Sequence, residues 1–412
     1  MLKPNSPVCP PGFVLTPPRI PSAPSLSGFY LLYFGTVGIT LPFLPAYFGG
    51  LGFSGGQVGL LLALSPLFAL VAPPLFGHLA DRTGRPDRVL TLLSLGALLG
   101  FSPLLVARSF PAVLGAMAAY ALFASSITMA VDSLALHRVS VRGGSYADLR
   151  VWGSVGFVIS SVAFGQWVEV IDGRTVIVIL IGLGLFTLWS LTLRSQHAPA
   201  PVRSLLAGVR LLRDRDLALL LAASCLHWVA FAPFNGMLSI HVLALGLPPS
   251  VVGQAAGLGV IAEVGVMLFY ARIAERFAPR HVLAFSFAVT VLRWLGMAWA
   301  SSSAWIIGLT ALHGLSFGAF YVASVGYIAH RVPAHLRSSG QALYVAITFG
   351  LGGLIGYPGA GAAYDLLGGH RLFLVAAGLQ IVTVVMVLRL RPADSAREFP
   401  PTPPRPEEVR SA

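Results

Sequence analysis

Gly77-His-Leu-Ala-Asp81-Arg82-Thr-Gly84-Arg85 decides the fold, because the chain carries it twice. Shifted by 194 residues, the same frame reads Ala271-Arg-Ile-Ala-Glu275-Arg276-Phe-Ala-Pro-Arg280, acid over acid and arginine over arginine, and Gly59 lands on Gly253. Each copy sits between long apolar stretches, after the second such stretch of its own half. A unit of apolar segments repeated twice predicts a transporter with its site between the repeats.

Outward from these loops the chain is too apolar for water. Of its 412 residues 56% are hydrophobic and 10% charged, where a soluble domain carries roughly 25% charged. A bilayer crossing takes about 20 apolar residues in a helix. Twelve such runs are read, at 27–49, 57–79, 89–107, 111–136, 146–168, 174–193, 217–245, 251–271, 281–300, 304–329, 338–363 and 370–390. They are too long and too evenly apolar for barrel strands. The predicted fold is an all-α polytopic membrane protein, with twelve transmembrane helices in two six-helix halves, 27–194 and 217–390. The connection 195–216 carries Val202, Leu205, Leu206, Val209 and Leu212 at helical spacing, with Arg203, Arg210 and Arg213 opposite. That pattern predicts an amphipathic helix lying on the membrane surface. Residues 1–26 hold eight prolines and 391–412 hold six, so two disordered tails are expected. The first lacks the charged start and apolar core of a signal peptide.

The net charge is +12. In a soluble protein that balance would raise nucleic acid as a partner. Here basic residues gather in the loops of one face, and no nucleic-acid partner is expected. Alternate loops and the tails hold 23 of the basic residues; the other set holds Arg108, Arg174 and Arg371, and Arg293 lies inside a run. Both termini are therefore expected in the cytoplasm. Two cysteines, Cys9 and Cys225, exclude a disulfide framework.

A charge at the bilayer centre costs from about 3 to more than 10 kcal/mol. Each one present is a candidate for function. Asp132 lies in span four, Glu263 in span eight and Arg293 in span nine; His227 and His313 can also charge, and Asp148 and Arg150 open span five. At 1.5 Å per residue, Glu263, Arg293 and His313 lie about 18, 11 and 14 Å below the arginine-poor ends of their helices. Three ionisable groups on successive helices thus share a depth. The bland reading is a polar cluster that holds three helices together; the functional one is a water-lined proton and substrate site. Asp132 and Arg150 meet through the short 137–145 loop. They make either an interfacial salt bridge or an arginine that receives a polar or anionic substrate, with Asp132 as its resting partner.

The loop from Gly77 resembles the signature between spans two and three of the major facilitator superfamily. On that likeness Gly77 allows close helix packing, Asp81 caps a helix or pairs across the bundle, and Arg82, Gly84, Arg85, Glu275 and Arg276 belong to topology and gating. Tyr146-Ala-Asp-Leu-Arg150-Val-Trp-Gly153-Ser-Val-Gly156 resembles the start of span five in phenylpropionate permease-like transporters. Gly259-Val-Ile-Ala-Glu263-Val, Arg293-Trp294 and Leu312-His313-Gly-Leu-Ser316-Phe-Gly318 are similar to their spans eight to ten, and Tyr33-Phe34 with Pro42-Phe43 to their first. The likeness covers about residues 27–390. These proteins are relatives of the lactose permease, a proton–sugar symporter. In it an acid on span four, an arginine on span five, and Glu, Arg and His on spans eight to ten do the work. Asp132, Arg150, Glu263, Arg293 and His313 stand at the corresponding places. Two positions depart: Phe157 replaces a sugar-stacking tryptophan, and Ser316 replaces a second glutamate.

The resemblance implies a proton-coupled symporter of a bacterial inner membrane, importing a small organic solute such as an aromatic carboxylate. Glu263, Arg293, His313 and Asp132 would couple protons. Arg150, Asp132, Phe157, Tyr30, Phe34 and Arg293 would bind substrate. A sugar or nucleoside symporter and an uncoupled facilitator are the alternatives within the fold, and a signalling transceptor lies outside it. Span five lacks the Gly-Pro motif of drug antiporters. No cofactor or metal is expected, nor an enzyme; such bundles need no partner, so a monomer is expected. Gly52-Phe-Ser54-Gly-Gly56 matches a hydrolase elbow, but it falls in a loop between spans. The glycines from Gly352 to Gly361 read as helix packing. Phe29, Tyr33, Tyr47, Trp228, Phe231 and Phe234 are candidates to line a cavity.

Overall fold

The computed structural model describes residues 20–195 and 210–391, the side chain of Ala271 apart. Most of both predicted tails, and the centre of the predicted amphipathic linker, lie outside the described residues. Within them the regular structure is helical throughout. Eleven helical segments are long and apolar enough to cross a membrane. Spans one to six are Ala23–Gly50, Gly55–Thr83, Pro86–Leu105, Phe110–Arg142, Tyr146–Trp167 and Gly173–Ser190. Spans seven to ten are Arg215–Ala244, Pro249–Tyr270, Pro279–Trp299 and Ser303–Arg331.

The eleventh segment, Ala334–Leu388, has 55 residues. At 1.5 Å per residue that is about 80 Å of helix, against a hydrocarbon core of about 30 Å. It is broken at Gly368, where φ is 75° and ψ is 171°. Only glycine takes that backbone without a Cβ penalty. The two limbs are spans eleven, 334–367, and twelve, 369–388, which restores the predicted number of crossings.

The helices overrun the apolar runs at several ends because their first turns are polar. Ser22, Ser54, Ser145, Asp172, Asp214 and Ser302 each accept a hydrogen bond from an amide of the turn they open. Ser54, in the elbow-like sequence, is such a cap. Its hydroxyl accepts from the Gln57 amide and its own amide donates to the Gln57 side chain. Span four is interrupted at Ser125 and Ser126, between Phe110–Ala124 and Ile127–Arg142. Spans seven, ten and eleven each widen into one π-helical turn, at Pro233–Met237, Gly314–Gly318 and Ala346–Leu351.

Residues 20–195 and 210–391 meet chiefly along two helix pairs, and span one also touches span seven. Span two packs on span eleven and span five on span eight. At the arginine-poor face these contacts are backbone on backbone. A Cβ on Gly165 would stand 3.2 Å from the Gly253 Cα, and one on Gly55 would stand 2.6 Å from the Gly361 carbonyl oxygen. Going inward, the glycine contacts of spans two and eleven end at Leu70 with Gly350, and those of spans five and eight at Gly257 with Val158 and Val162. Gly265, two turns further along span eight, has open space beside it. The pairs are sealed at the arginine-poor face and diverge toward the other.

Candidate functional site

A cavity of about 320 Å³ lies between the halves at mid-bundle. One wall comes from spans one and five, with Phe34, Val37, Arg150, Ser154 and Phe157. The facing wall comes from spans seven, eight, ten and eleven, with Trp228, Phe234, Asn235, Ser239, Glu263, His313, Phe317 and Tyr357. The charged groups lining the cavity are Arg150 and Glu263, one from each half, with His313 beside the acid.

Arg150 folds across its own helix onto span one. Its Cζ lies 3.9 Å from the Phe34 ring centre and 5.8 Å from that of Tyr30. Gly153 makes this possible: a Cβ there would stand 2.6 Å from Arg150 Nη1. The ring faces attract the cation while its fork of donors stays free. The expected pairing with Asp132 is absent. Asp132 Oδ1 instead accepts from the Tyr30 hydroxyl at 2.6 Å. A buried hydroxyl and a carboxylate satisfy each other, and the guanidinium finds aromatic faces nearer than the acid. Tyr30 is fully buried, and neither it nor Asp132 lines the cavity.

In the second half Glu263, Arg293 and His313 come together. Arg293 Nη1 lies 3.1 Å from His313 Nδ1 and donates to Ser316 Oγ at 3.1 Å. His313 Nε2 lies 4.0 Å from Glu263 Oε2. Gly259 faces the imidazole at ordinary contact distance, 3.5 Å for a Cβ. Arg293 has no exposed surface and does not line the cavity. It is enclosed by Phe234, Trp294 and Phe231, at 4.1, 4.8 and 5.6 Å from their ring centres. Arg293, expected from the sequence to bind substrate, thus does not line the cavity in this conformation, whereas its neighbours His313 and Phe234 do.

The loop motif serves local structure. Gly77 faces Met129 at ordinary contact distance, 3.7 Å for a Cβ, so close helix packing is not its use here. Asp81 lies within the second helix, which runs to Thr83, so it caps no helix start, and no hydrogen bond or ion pair is formed by it among the described residues. Gly84 ends that helix in the left-handed conformation, φ 62°. Arg85 pairs with Asp87 at 3.2 Å. Arg82, Glu275 and Arg276 are exposed on the arginine-rich face.

Asn235, Ser239 and Tyr357 are cavity residues that sequence reasoning missed. Asn235 is presented by the π-helical turn after Pro233, and the proline in an apolar run was the one available signal. Also missed was the neighbour of His227: Gln380 Oε1 lies 3.0 Å from His227 Nδ1, deep in the second half. At the arginine-rich face Arg331 bridges Asp214 at 2.8 Å and Asp216 at 2.9 Å. Burial pushes the Asp214 carboxyl up, but hydrogen bonds from Arg331 and from the Leu217 and Asp216 amides outweigh it and hold it below the usual range.

Residues 24–375 match the MFS_1 like family. The chain is 31% identical over 358 residues to the Escherichia coli (strain K12) protein named "Probable 3-phenylpropionic acid transporter", covering 84% of this chain and 92% of that one. It is 31% identical to the maltose permease of Geobacillus stearothermophilus, over 79% of this chain and 83% of that one. Among solved structures it superposes on the nucleoside transporter NupG with TM-score 0.81 at 16% identity, covering 89% and 98% of the two chains. These relatives are transporters and permeases, not enzymes. A helical bundle built as a twofold repeat, a cavity between its halves and the family match together place the chain: it belongs to the MFS_1 like family, within the major facilitator superfamily of small-solute transporters.

Proposed function

We propose that the protein is a proton-coupled symporter importing a small aromatic carboxylate, 3-phenylpropionate-like, across a bacterial inner membrane. The arginine-rich face and both termini are assigned to the cytoplasm. One observation carries the reading: Arg150 and Glu263 face one aromatic-walled cavity from opposite halves. With Glu263 ionised and His313 neutral, the charges of the wall cancel. With Glu263 protonated, Arg150 is left over, and its fork fits a carboxylate. Anion and proton are then taken up together, and neither alone leaves a neutral site. Phe34 and Phe157 flank the aryl ring. Arg293 and His313 hold the proton site, and Tyr30 keeps Asp132 off Arg150. The loaded halves rock about the cavity, as in other repeat-built carriers. Asp81, Glu275 and the loop arginines meet when the cytoplasmic face closes. The cavity is complete within one chain, so the working unit is a monomer.

The test is purified protein in liposomes, with external pH recorded as aromatic acids, sugars and nucleosides are added in turn. Alkalinisation on adding aromatic acids is the expected result. No pH change, with counterflow of a labelled acid still present, would mean a facilitator. A second reading, sugar or nucleoside uptake, is favoured by Asn235, Ser239 and Tyr357, neutral hydrogen-bonding groups on the same wall. Alkalinisation by maltose or uridine in place of the acids would select it.

A further inference from the structure

Asp365 stands near the arginine-poor end of span eleven, outside the cavity and outside every motif singled out in the sequence. Its carboxylate reaches across to the other half. Oδ1 accepts from the Gly55 amide at 2.7 Å and Oδ2 from the Gly56 amide at 2.8 Å. These are the first two amides of span two, at the positive end of a helix dipole. The rest of that helix start is already satisfied. The Gln57 amide donates to Ser54 Oγ, and the Val58 amide to the Ser54 carbonyl. Asp365 thus completes a cap whose other parts all belong to the opposite half.

Other bonds of this kind are lacking. Among the described residues, leaving aside His137, Ser195 and Arg331 at the far face, no other hydrogen bond joins 20–195 to 210–391. The remainder of the seal is close backbone packing at the glycines together with apolar side chains of both halves, among them Phe43, Phe164, Val242 and Val252, in one buried cluster. Position 55 fits only glycine, since a Cβ there would stand 2.6 Å from the Gly361 oxygen and 2.8 Å from Asp365 Oδ1.

We propose that Asp365 is a positioning residue of the transport cycle, a latch that holds the arginine-poor face shut and must let go each time that face opens. Charge-assisted bonds to two amides are strong for their number. Yet Asp365 is exposed to solvent. On release the carboxylate and both amides pass to water, so the latch biases the equilibrium without freezing it. The inference rests on alternating access and on no particular substrate.

The experiment is pulsed electron spin resonance on the full chain in nanodiscs. Spin labels go at Val106→Cys and Trp299→Cys, exposed positions near the arginine-poor ends of spans three and nine. Cys9 and Cys225 are first replaced by serine. The latched wild-type chain should show a narrow, short distance. In Asp365→Ala and Asp365→Asn a longer component should grow about tenfold relative to the short one, the effect of roughly one net charged hydrogen bond. A variant that misfolds is controlled by a cross-link. Gly56→Cys with Ala362→Cys brings a thiol to a position where a Cβ at 56 is 4.0 Å from the Ala362 Cα. Its disulfide should restore the short distance on the Asp365→Ala background, and reductant should release it. Unchanged distances in both Asp365 variants overturn the latch. Shifted distances with no uptake of any aromatic acid would keep the latch and sink the substrate reading.

Discussion

The two halves descend from one repeated plan but hold their cations in opposite ways. In 20–195, Arg150 leans on the Phe34 ring and keeps its donors toward the cavity. In 210–391, Arg293 is sealed among three rings, with Nη1 set against His313 and Ser316 while Nε and Nη2 find no hydrogen-bond partner among the described residues. The backbones differ as well. The three π-helical turns of the described residues all lie in the second half, in spans seven, ten and eleven. Such turns turn side chains off the regular helical stripe and favour functional sites. On the proposed function, one half offers the group that receives the anion and the other holds the proton-accepting cluster in a deformable frame. In the proposed reading, placing the two charges on opposite halves of one cavity ties uptake of the anion to uptake of the proton.

Four substitutions test that division, beginning with the largest effect. Glu263→Gln should lower accumulation of substrate in liposomes to a ratio of about one, since coupling free energy is lost, while counterflow persists. Full accumulation by this variant would erase the assigned difference between the halves. Ser316→Ala leaves one Arg293 donor buried without its partner, and should lower stability by about 1–3 kcal/mol in thermal unfolding. If the melting curve does not move, the second half is less dependent on its buried cluster than the geometry implies. Arg150→Lys exchanges a planar, ring-stacked fork for a point charge and should weaken substrate binding about tenfold, with little change in melting. Equal damage to binding and melting would make Arg150 structural, like Arg293.

The smallest effect concerns the arginine-rich face, where the second half holds a buried cluster around Arg331 and the first a partly exposed Arg85–Asp87 pair. Because the Asp214 carboxyl is held below its usual range, the stability it adds is present above the unfolded value. It is lost as pH falls through the lower folded one. The melting-temperature gap between wild type and Asp214→Asn should be a few degrees, constant above about pH 4 and narrowing below it. A gap that widens in acid would reverse the sign.

Much of this was legible in the sequence, for reasons that differ by element. The crossings are read from run length because lipid leaves a helix no alternative. Glu263, Arg293 and His313 could be grouped because depth along a helix is simple arithmetic. What failed was anything set by rotamers or by a second helix. Whether Arg150 turns to Asp132 or to Phe34 is decided by the missing Cβ at Gly153. Gly77 looked like a packing glycine, while the tight approaches are at Gly55, Gly165, Gly253 and Gly361. Asp365 was invisible because its partners lie about 310 residues away and are backbone amides, which carry no sequence signature.

The glycine seam at the arginine-poor face has a mechanical consequence. Interlocked side chains must change rotamer before two surfaces part, and that adds friction to every cycle. Bare backbone has no teeth to disengage. At the glycines the surfaces separate and reseat like the faces of a plain bearing, and the hydrogen bonding that holds them is concentrated at one carboxylate. A carrier built this way keeps its resistance to motion low along the whole joint and puts the decision to move at a single point.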